Sequence, residues 1–135
     1  MKGLLFLAFF ISFVVFLMSA SMYFYYYYPI SEFTYSSTAF VTKDLAGFDL
    51  NSSSITFGSI ALGGSSTRNI LINNSYPFSV RVKPYVEGDI SKIINYSYLE
   101  VEPYQSSKFQ LTISADSIDQ LGNYTGNISI KLFRV

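Results

Sequence analysis

A stretch of 29 residues without a charged side chain, from Gly3 to Ser31, constrains this chain more than any other feature. Leu4 to Met18 is apolar except for Ser12. A helix rises about 1.5 Å per residue, so about 20 apolar residues cross a bilayer core of ~30 Å. A core helix of a small soluble protein would carry a polar face, and this stretch has none. The sequence therefore predicts one membrane-spanning helix within residues 1–30, in contact with the lipid bilayer through residues 3–28.

A cleaved secretory signal is the alternative interpretation of the same stretch. Ser19-Ala20-Ser21 supplies small residues at the spacing that signal peptidase requires, after an apolar region of suitable length. The apolar character does not stop there, because Met22, Phe24 and five tyrosines fill positions 22–28. Tyrosine rings suit the lipid–water boundary. We therefore expect an uncleaved anchor that ends in an aromatic belt before Pro29, with cleavage after Ser21 as the alternative.

Charges and glycosylation sequons indicate the orientation. Lys2 and the amino terminus are the only positive charges before the span, and Lys43 is the first after it. The positive-inside tendency then places the N-terminus in the cytoplasm and the chain after Pro29 outside the cell membrane. Ser/Thr-rich β domains collect some sequons by composition alone, but this chain has more than that explains, so we expect a surface glycoprotein. The five Asn-x-Ser/Thr sequons are at Asn51, Asn73, Asn95, Asn123 and Asn127.

The chain after the span divides into two parts. Residues 31–45 are rich in Ser, Thr and aromatic side chains without a clear period, and we interpret them as a stalk or linker in which Phe33 to Thr42 is compatible with a strand. From residue 46 onward apolar and polar side chains alternate, which is typical of strands with one buried face. The alternating runs are Ile70–Ile72, Phe78–Val82, Leu99–Val101, Phe109–Ile113 and Ile128–Leu132.

Turn-forming residues separate these runs, and no helical period follows residue 30. The apolar stretch Ile90–Ile94 fits either a short strand or one helical turn. The pattern predicts an all-β domain over residues 46–135, an immunoglobulin-like antiparallel sandwich of about seven strands, preceded by one transmembrane helix. The predicted turns are at Gly63-Gly64, Asn73-Asn74, Glu87-Gly88-Asp89, Pro103 and Gly122-Asn123.

A series of short motifs in this domain carries a family resemblance. In chain order they are Phe57-Gly58 in a strand, Gly63-Gly64 in a turn, Thr67-Arg68 in a strand, Asn74 before a turn, Pro103 before a polar turn, and Gly122-Asn-Tyr-Thr-Gly126 before the last strand. Residues 46–135 thereby resemble immunoglobulin-like modules of the abnormal-spindle/hydin and major-sperm-protein type. The resemblance implies a sandwich fold and a role in binding or scaffolding rather than in catalysis.

The amino-acid composition excludes several kinds of catalysis and most metal sites. The 135 residues include no Cys, His or Trp, and nine Lys/Arg balance nine Asp/Glu. Without His and Cys, thiol catalysis, His-based acid–base catalysis and most metal sites are excluded. The zero net charge excludes the basic footprint of a nucleic-acid-binding protein. We therefore expect no enzyme, no cofactor and no nucleic-acid partner. An exported domain without disulfides also favours an archaeal or bacterial envelope.

Three groups of side chains fit both a binding or catalytic role and a purely structural role. Asp116, Asp119 and Asn123 are weak candidates for a calcium site, because calcium takes hard oxygen ligands, but capping of loop backbone explains them better. Glu100 and Glu102 lie on the face opposite their apolar neighbours and are expected to be a solvated pair rather than a glycosidase dyad. Four tyrosines fit an aromatic platform that binds a sugar or a protein. The preferred interpretation is that they pack over strand ends and against the core. They are Tyr96, Tyr98, Tyr104 and Tyr124.

The leading functional hypothesis is a non-enzymatic, membrane-anchored surface protein, an immunoglobulin-like interaction or scaffolding module of the cell envelope. Its partner would be an envelope protein or a second copy, bound through the sandwich edges, and donation of the strand Phe33–Thr42 to a neighbour is a related hypothesis. The alternative is a subunit of an archaeal surface filament or its motor, of the pilus or archaellum-stator type. Lys2-Gly3 is similar to a prepilin processing site, but Ala8 stands fifth after Gly3 and the span contains no Glu.

Overall fold

The computed structural model describes residues 2–43, 54–116 and 118–135, and consists of one helix followed by a two-sheet β domain. Helix α1 runs from Lys2 to Tyr27. It is the one helix in the described residues that is long and apolar enough to cross a membrane, over Gly3–Tyr27, with a mean hydropathy of 2.5 in its most apolar window and none of that window buried. The length and exposure expected of a spanning helix are therefore confirmed.

In the described residues, eight strands and two 3-10 turns follow the helix, which confirms an all-β sandwich fold behind one N-terminal apolar helix. The strands are β1 (Ser31–Thr42), β2 (Ser54–Ala61), β3 (Ser65–Asn73), β4 (Val80–Gly88), β5 (Ile94–Tyr96), β6 (Leu99–Val101), β7 (Ser106–Ser114) and β8 (Gly122–Arg134). The 3-10 turns are Asp89–Lys92 and Ile118–Gln120.

The strands form a five-stranded sheet in the order β2-β1-β8-β4-β6 and a three-stranded sheet in the order β3-β7-β5. Every described strand pair is antiparallel except β1–β2, which is parallel and contains an irregularity between Thr38 and Phe40. The expectation of a wholly antiparallel sandwich is corrected at this one pair.

Strand β1 corrects the boundary that the sequence predicted. Residues 31–42 lie inside the sandwich, because β1 pairs with β8 from Ser31 to Val41 and with β2 from Ser36 to Thr42. The strand expected at Phe33–Thr42 is present, whereas the linker interpretation of these residues is wrong. The boundary placed between residues 45 and 46 lies outside the described residues.

Two shorter segments also differ from expectation. The uncertain stretch Ile90–Ile94 divides between the first 3-10 turn and the start of β5, and Ile90 is completely buried. The pair Gly122-Asn123, expected in a turn, opens β8 instead, and Gly122 has φ of 137°, a value that suits glycine. The turn at this point is formed by the residues before it.

The core lies between the two sheets and is built from the inward side of each alternating strand. In β7, Phe109, Leu111 and Ile113 are all completely buried, while their neighbours are partly or fully exposed. Ile128 and Ile130 of β8 are buried to the same extent from the other sheet. In these strands, the alternation of apolar and polar residues therefore identifies the face that each strand buries.

One buried amide fixes the end of the sandwich that lies next to the helix. Asn74 is completely buried, and its Nδ2 donates to the carbonyl oxygens of Phe78, Val101 and Glu102 at 2.8–3.0 Å. Its Oδ1 accepts a hydrogen bond from the backbone N–H of Tyr76 at 3.0 Å. A buried polar side chain is stable only when it is hydrogen-bonded, and here the bonds join the β3–β4 connection to the end of β6 and the residue that follows it.

Candidate functional site

The candidate calcium residues lie at the end of the sandwich farthest from the helix. Asp116 is exposed before the second 3-10 turn, Asp119 is exposed within it, and Asn123 is exposed at the start of β8. Across residues 2–43, 54–116 and 118–135, no group of three or more His, Cys, Asp or Glu side chains is placed to hold a metal ion.

The paired carboxylates occupy the solvent face, as their alternation with buried residues predicts. Glu100 accepts a hydrogen bond from the Tyr98 hydroxyl at 2.5 Å and lies 4.0 Å from the Arg81 guanidinium. Glu102 accepts a hydrogen bond from the Ser79 hydroxyl at 3.0 Å. Each carboxylate is thus held by its own surface partners, and the two do not share one site.

The four tyrosines are dispersed. Tyr96, Tyr98 and Tyr104 are more than half exposed, and Tyr124 packs partly buried against the core. None of the ring–ring contacts found in the described residues joins two of them. Tyr124 therefore packs against the core, as expected, whereas the other three tyrosines are separate surface side chains.

The sequons that the structure describes are all accessible. Asn73, Asn95, Asn123 and Asn127 have exposed side chains, and Asn73 accepts a hydrogen bond from the Ser106 hydroxyl at 3.0 Å. Asn51 lies outside the described residues. Glycan transfer requires an accessible asparagine, and these four positions satisfy that requirement.

The junction of helix and sandwich is the feature that the sequence analysis missed. Helix α1 ends at Tyr27, and β1 begins only four positions later at Ser31. Arg134, at the end of β8, places its guanidinium carbon 3.8 Å from the Tyr25 ring centroid and 4.0 Å from that of Phe78. This cation lies against an aromatic ring of the helix and against one of the sandwich, so it joins the two parts directly.

A groove of about 460 Å³ lies beside this contact. The helix contributes Tyr26 and Tyr27 to its wall, and the outward face of the five-stranded sheet contributes cationic and aromatic side chains. The strand register explains why they meet, because Arg81 is opposite Phe133, Lys83 is opposite Lys131, and Tyr85 is opposite Ser129 on adjacent strands β4 and β8. The sheet-side lining is Arg81, Lys83, Tyr85, Phe133, Arg134 and Val135.

Charges at this groove are only partly neutralised. Lys131 lies 3.4 Å from Glu32, and Arg81 lies 4.0 Å from Glu100. Within the described part of the chain, no ion pair joins Lys83 or Arg134 to an acidic side chain. The Lys83 ammonium lies over the Phe133 ring at 5.1 Å, and the Arg134 Nε is buried without a hydrogen-bond partner. The groove therefore carries two cations that face aromatic rings rather than carboxylates.

A second, apolar depression opens at the side of the sandwich. It has a volume of about 180 Å³ and lies where β1 extends beyond the start of β2, next to the free edge of β3. Its lining includes Phe33, Tyr35, Ile70 and Leu71, and the Leu71 side chain is 67% exposed. An exposed apolar side chain beside an open strand edge is a feature of surfaces that pair with another chain.

The distal end has one ion pair with a resolved electrostatic effect. The Lys92 ammonium donates to the Asp89 carboxylate at 2.6 Å, and this hydrogen bond, together with the charge attraction, raises the pKa of Lys92 above its usual value. Both side chains are largely exposed, so the pair is a surface feature of the 3-10 turn.

Comparison of the chain with protein-family models, curated proteins and solved structures found no match. The fold and the geometry of the junction therefore carry the functional interpretation.

Proposed function

We propose that this chain is a non-enzymatic, single-pass membrane protein whose sandwich is an interaction or scaffolding module on the outer side of the cell membrane. The observation that carries the proposal is the direct continuation of an exposed apolar helix into a paired strand of the sandwich. Helix α1 is exposed along its whole apolar length, and only residues 28–30 separate it from β1. A helix of this kind needs lipid around it, since water would meet an uninterrupted apolar surface.

Two features support the outward orientation. The four described sequon asparagines are exposed, which suits a glycosylated domain. Lys2 is the one charged side chain among residues 1–31, and it is positive and lies directly before the apolar segment. The cations at the groove do not oppose this orientation, because long domains translocate largely regardless of their charge.

We also propose that the sandwich is an immunoglobulin-like module of the abnormal-spindle/hydin and major-sperm-protein type, in an archaeal envelope. Gly58 in strand β2 has φ of 75°, which suits the Phe-Gly motif, and Asn74 closes the next connection through its side chain. A core that holds without a single disulfide fits an envelope rather than a cysteine-rich secreted protein.

The partner surface that we propose is the edge of β3 together with the apolar depression next to it. Of the described edge strands of the three-stranded sheet, β3 has nine residues and β5 has three. The side chains of Ser66 and Arg68 already bond to carbonyl oxygens of β2, so the part of β3 after Arg68 is the backbone that we propose for an incoming strand. An envelope protein or a second copy of the chain would add a strand there and cover Leu71. Donation of β1 is disfavoured, since it already pairs on both sides.

Cysteine labelling tests the topology, because the chain has no native Cys to interfere. Gln110→Cys places a thiol on an exposed position of β7, and Gly3→Cys places one at the start of the span while Lys2 is kept. A membrane-impermeant maleimide applied to whole cells should label the first variant and not the second. After lysis both should be labelled. Labelling of position 3 alone on whole cells would overturn the proposed orientation.

The mass of the mature N-terminus tests the anchor separately. An intact start supports the anchored module. Loss of residues 1–3 would favour the filament subunit, and loss of residues 1–21 would show a secreted domain without an anchor.

A further inference from the structure

We propose that the groove between the end of α1 and the five-stranded sheet binds the phosphate headgroups of anionic lipids in the bilayer that α1 spans, and so holds the sandwich against the membrane surface. The inference rests on the proposed anchoring of the chain and adds to it a second, independent contact with lipid. It assigns a role to Lys83, Arg134 and their aromatic partners that the interaction module does not require.

Position is the first argument. Tyr26 and Tyr27 line the groove and belong to the aromatic end of α1. Tyrosines at the end of a spanning helix lie at the level of the lipid headgroups. The cations that share the groove with them therefore lie at the same depth, within reach of phosphate oxygens.

Charge is the second argument. Lys83 and Arg134 have no acidic partner in the described residues, whereas Lys131 and Arg81 are already paired with Glu32 and Glu100. Lys83 is exposed, so its ammonium is free to take an anion from outside the protein. Cationic side chains at a membrane surface attract anionic lipid, and each contributes roughly a fivefold increase in partition.

The aromatic side chains favour a lipid over a soluble anion. Phe133 lies under the Lys83 ammonium and Tyr85 under the Lys131 ammonium, at 5.1 and 4.8 Å. Aromatic rings next to cations are suited to the boundary between acyl chains and headgroups, because the apolar body and the polar edge are both satisfied there. A site for free phosphate would instead need several donors around a small anion.

The test uses the full chain in lipid nanodiscs and measures how close the sandwich lies to the headgroups. A fluorophore on Thr34→Cys reports from the outward face of the five-stranded sheet, where Thr34 is exposed. A fluorophore on Gln110→Cys reports from the opposite sheet. Nitroxide on the lipid headgroups quenches whichever label approaches the surface. We expect stronger quenching at position 34 when an anionic phospholipid is included, and no such change at position 110.

Matched charge variants separate the groove from general attraction. Lys83→Gln should lower the docked-to-undocked ratio about fivefold. Lys108→Gln removes one exposed cation from β7, at the same end of the sandwich but on the other sheet, and should leave quenching unchanged. Lys83→Arg keeps the charge at the tested position and should retain docking, which separates the loss of charge from a general structural effect of substitution at position 83.

The outcomes distinguish docking from anchoring. Quenching at position 34 that is equal in zwitterionic and anionic nanodiscs, or equal for both glutamine variants, overturns the headgroup site while the anchor stands. Loss of the quenching with millimolar inorganic phosphate would show a soluble-anion site and also overturn the proposal. A chain that does not stay with the nanodiscs overturns the anchor and the docking together.

Discussion

Asn74 has the largest structural role of any single polar side chain described. It is completely buried and satisfies three carbonyl oxygens and one backbone N–H, from the connections that follow β3 and β6. An apolar replacement would leave these groups buried and unpaired, which costs more than the loss of an ordinary hydrogen bond.

Asn74→Ala should therefore lower the free energy of unfolding by about 2–4 kcal/mol. Denaturant titration of the detergent-solubilised chain, followed by far-ultraviolet circular dichroism, measures the change. Asn69→Ala on the exposed face of β3 is the matched control and should stay within about 0.5 kcal/mol of the parent. Similar losses for both variants would show that the Asn74 network does not stabilise the fold.

Gly126 lies where the backbones of β4 and β8 leave no room for a side chain. A Cβ atom at this position would lie 2.0 Å from the Glu87 carbonyl oxygen and 2.8 Å from Ile90 Cγ2, so β4 and β8 would have to separate.

Gly126→Ala should lower the free energy of unfolding by about 3 kcal/mol, because overpacking between paired strands is relieved only by moving backbone. Thermal unfolding monitored by circular dichroism checks this. Gly63→Asn is the control, since Gly63 has φ of 77° but open space around it, and Asn tolerates that conformation. A parent-like melting temperature for Gly126→Ala would contradict the close approach of the two strands.

At the scale of elements, β1 shows where sequence patterns fail. Its inward side carries Ser37, Ala39 and Val41, which are small and buried, but also Phe33, which is 47% exposed, while Phe40 on the outer side is exposed to the same extent. The Ser37 hydroxyl donates to the Gly126 carbonyl at 3.1 Å and needs no apolar side chain to be buried. Small buried residues on the inward side and exposed phenylalanines on both sides hide the period of two, so the sequence pattern indicates a linker here.

The β7 and β8 strands could be predicted from sequence because large apolar residues mark their buried faces. The groove could not, since its members come from α1, β4 and β8, at positions 26–27, 81–85 and 133–135. Only the strand register brings Arg81 opposite Phe133 and Lys83 opposite Lys131. No spacing within one segment carries that information.

Substitutions at a buried and at an exposed position of β1 test whether residues 31–42 are a structural strand or a linker. Ala39→Asp puts a carboxylate at a position that is 2% exposed and should cost about 3–5 kcal/mol, enough to unfold a domain of marginal stability. Thr38→Asp adds the same charge one residue earlier on the exposed side and should be tolerated. Limited proteolysis of the membrane-inserted chain reports both. Equal resistance of the two variants would return residues 31–42 to the role of a linker.

At the scale of the whole molecule, the sequon at Asn123 has a matched control position on the neighbouring strand. Thr125 belongs to the Asn123 sequon, and its partner in the register is Thr38, which belongs to none. Both side chains are exposed. The pair therefore offers two threonines in matched surroundings, of which only one is part of a glycosylation signal.

Thr125→Ala should remove the mass of one glycan from the chain purified from its native cells, because the sequon at Asn123 is lost. Thr38→Ala should leave the glycan mass unchanged. Intact-mass spectrometry distinguishes the two. An unmodified parent chain at Asn73, Asn95, Asn123 and Asn127 would remove glycosylation as support for the outward orientation.

The direct passage from α1 into β1 has a mechanical consequence. In the anchored chain that we propose, a force exerted on the sandwich by a bound partner reaches α1 through β1, which is held to β8 by eleven consecutive residue pairs. A force along the strand axis loads those backbone hydrogen bonds in shear, so they bear the load together and do not open one after another. The proposed tether is thus attached to the domain at its longest described ladder, and we expect removal of the helix from the bilayer to need less force than separation of β1 from β8.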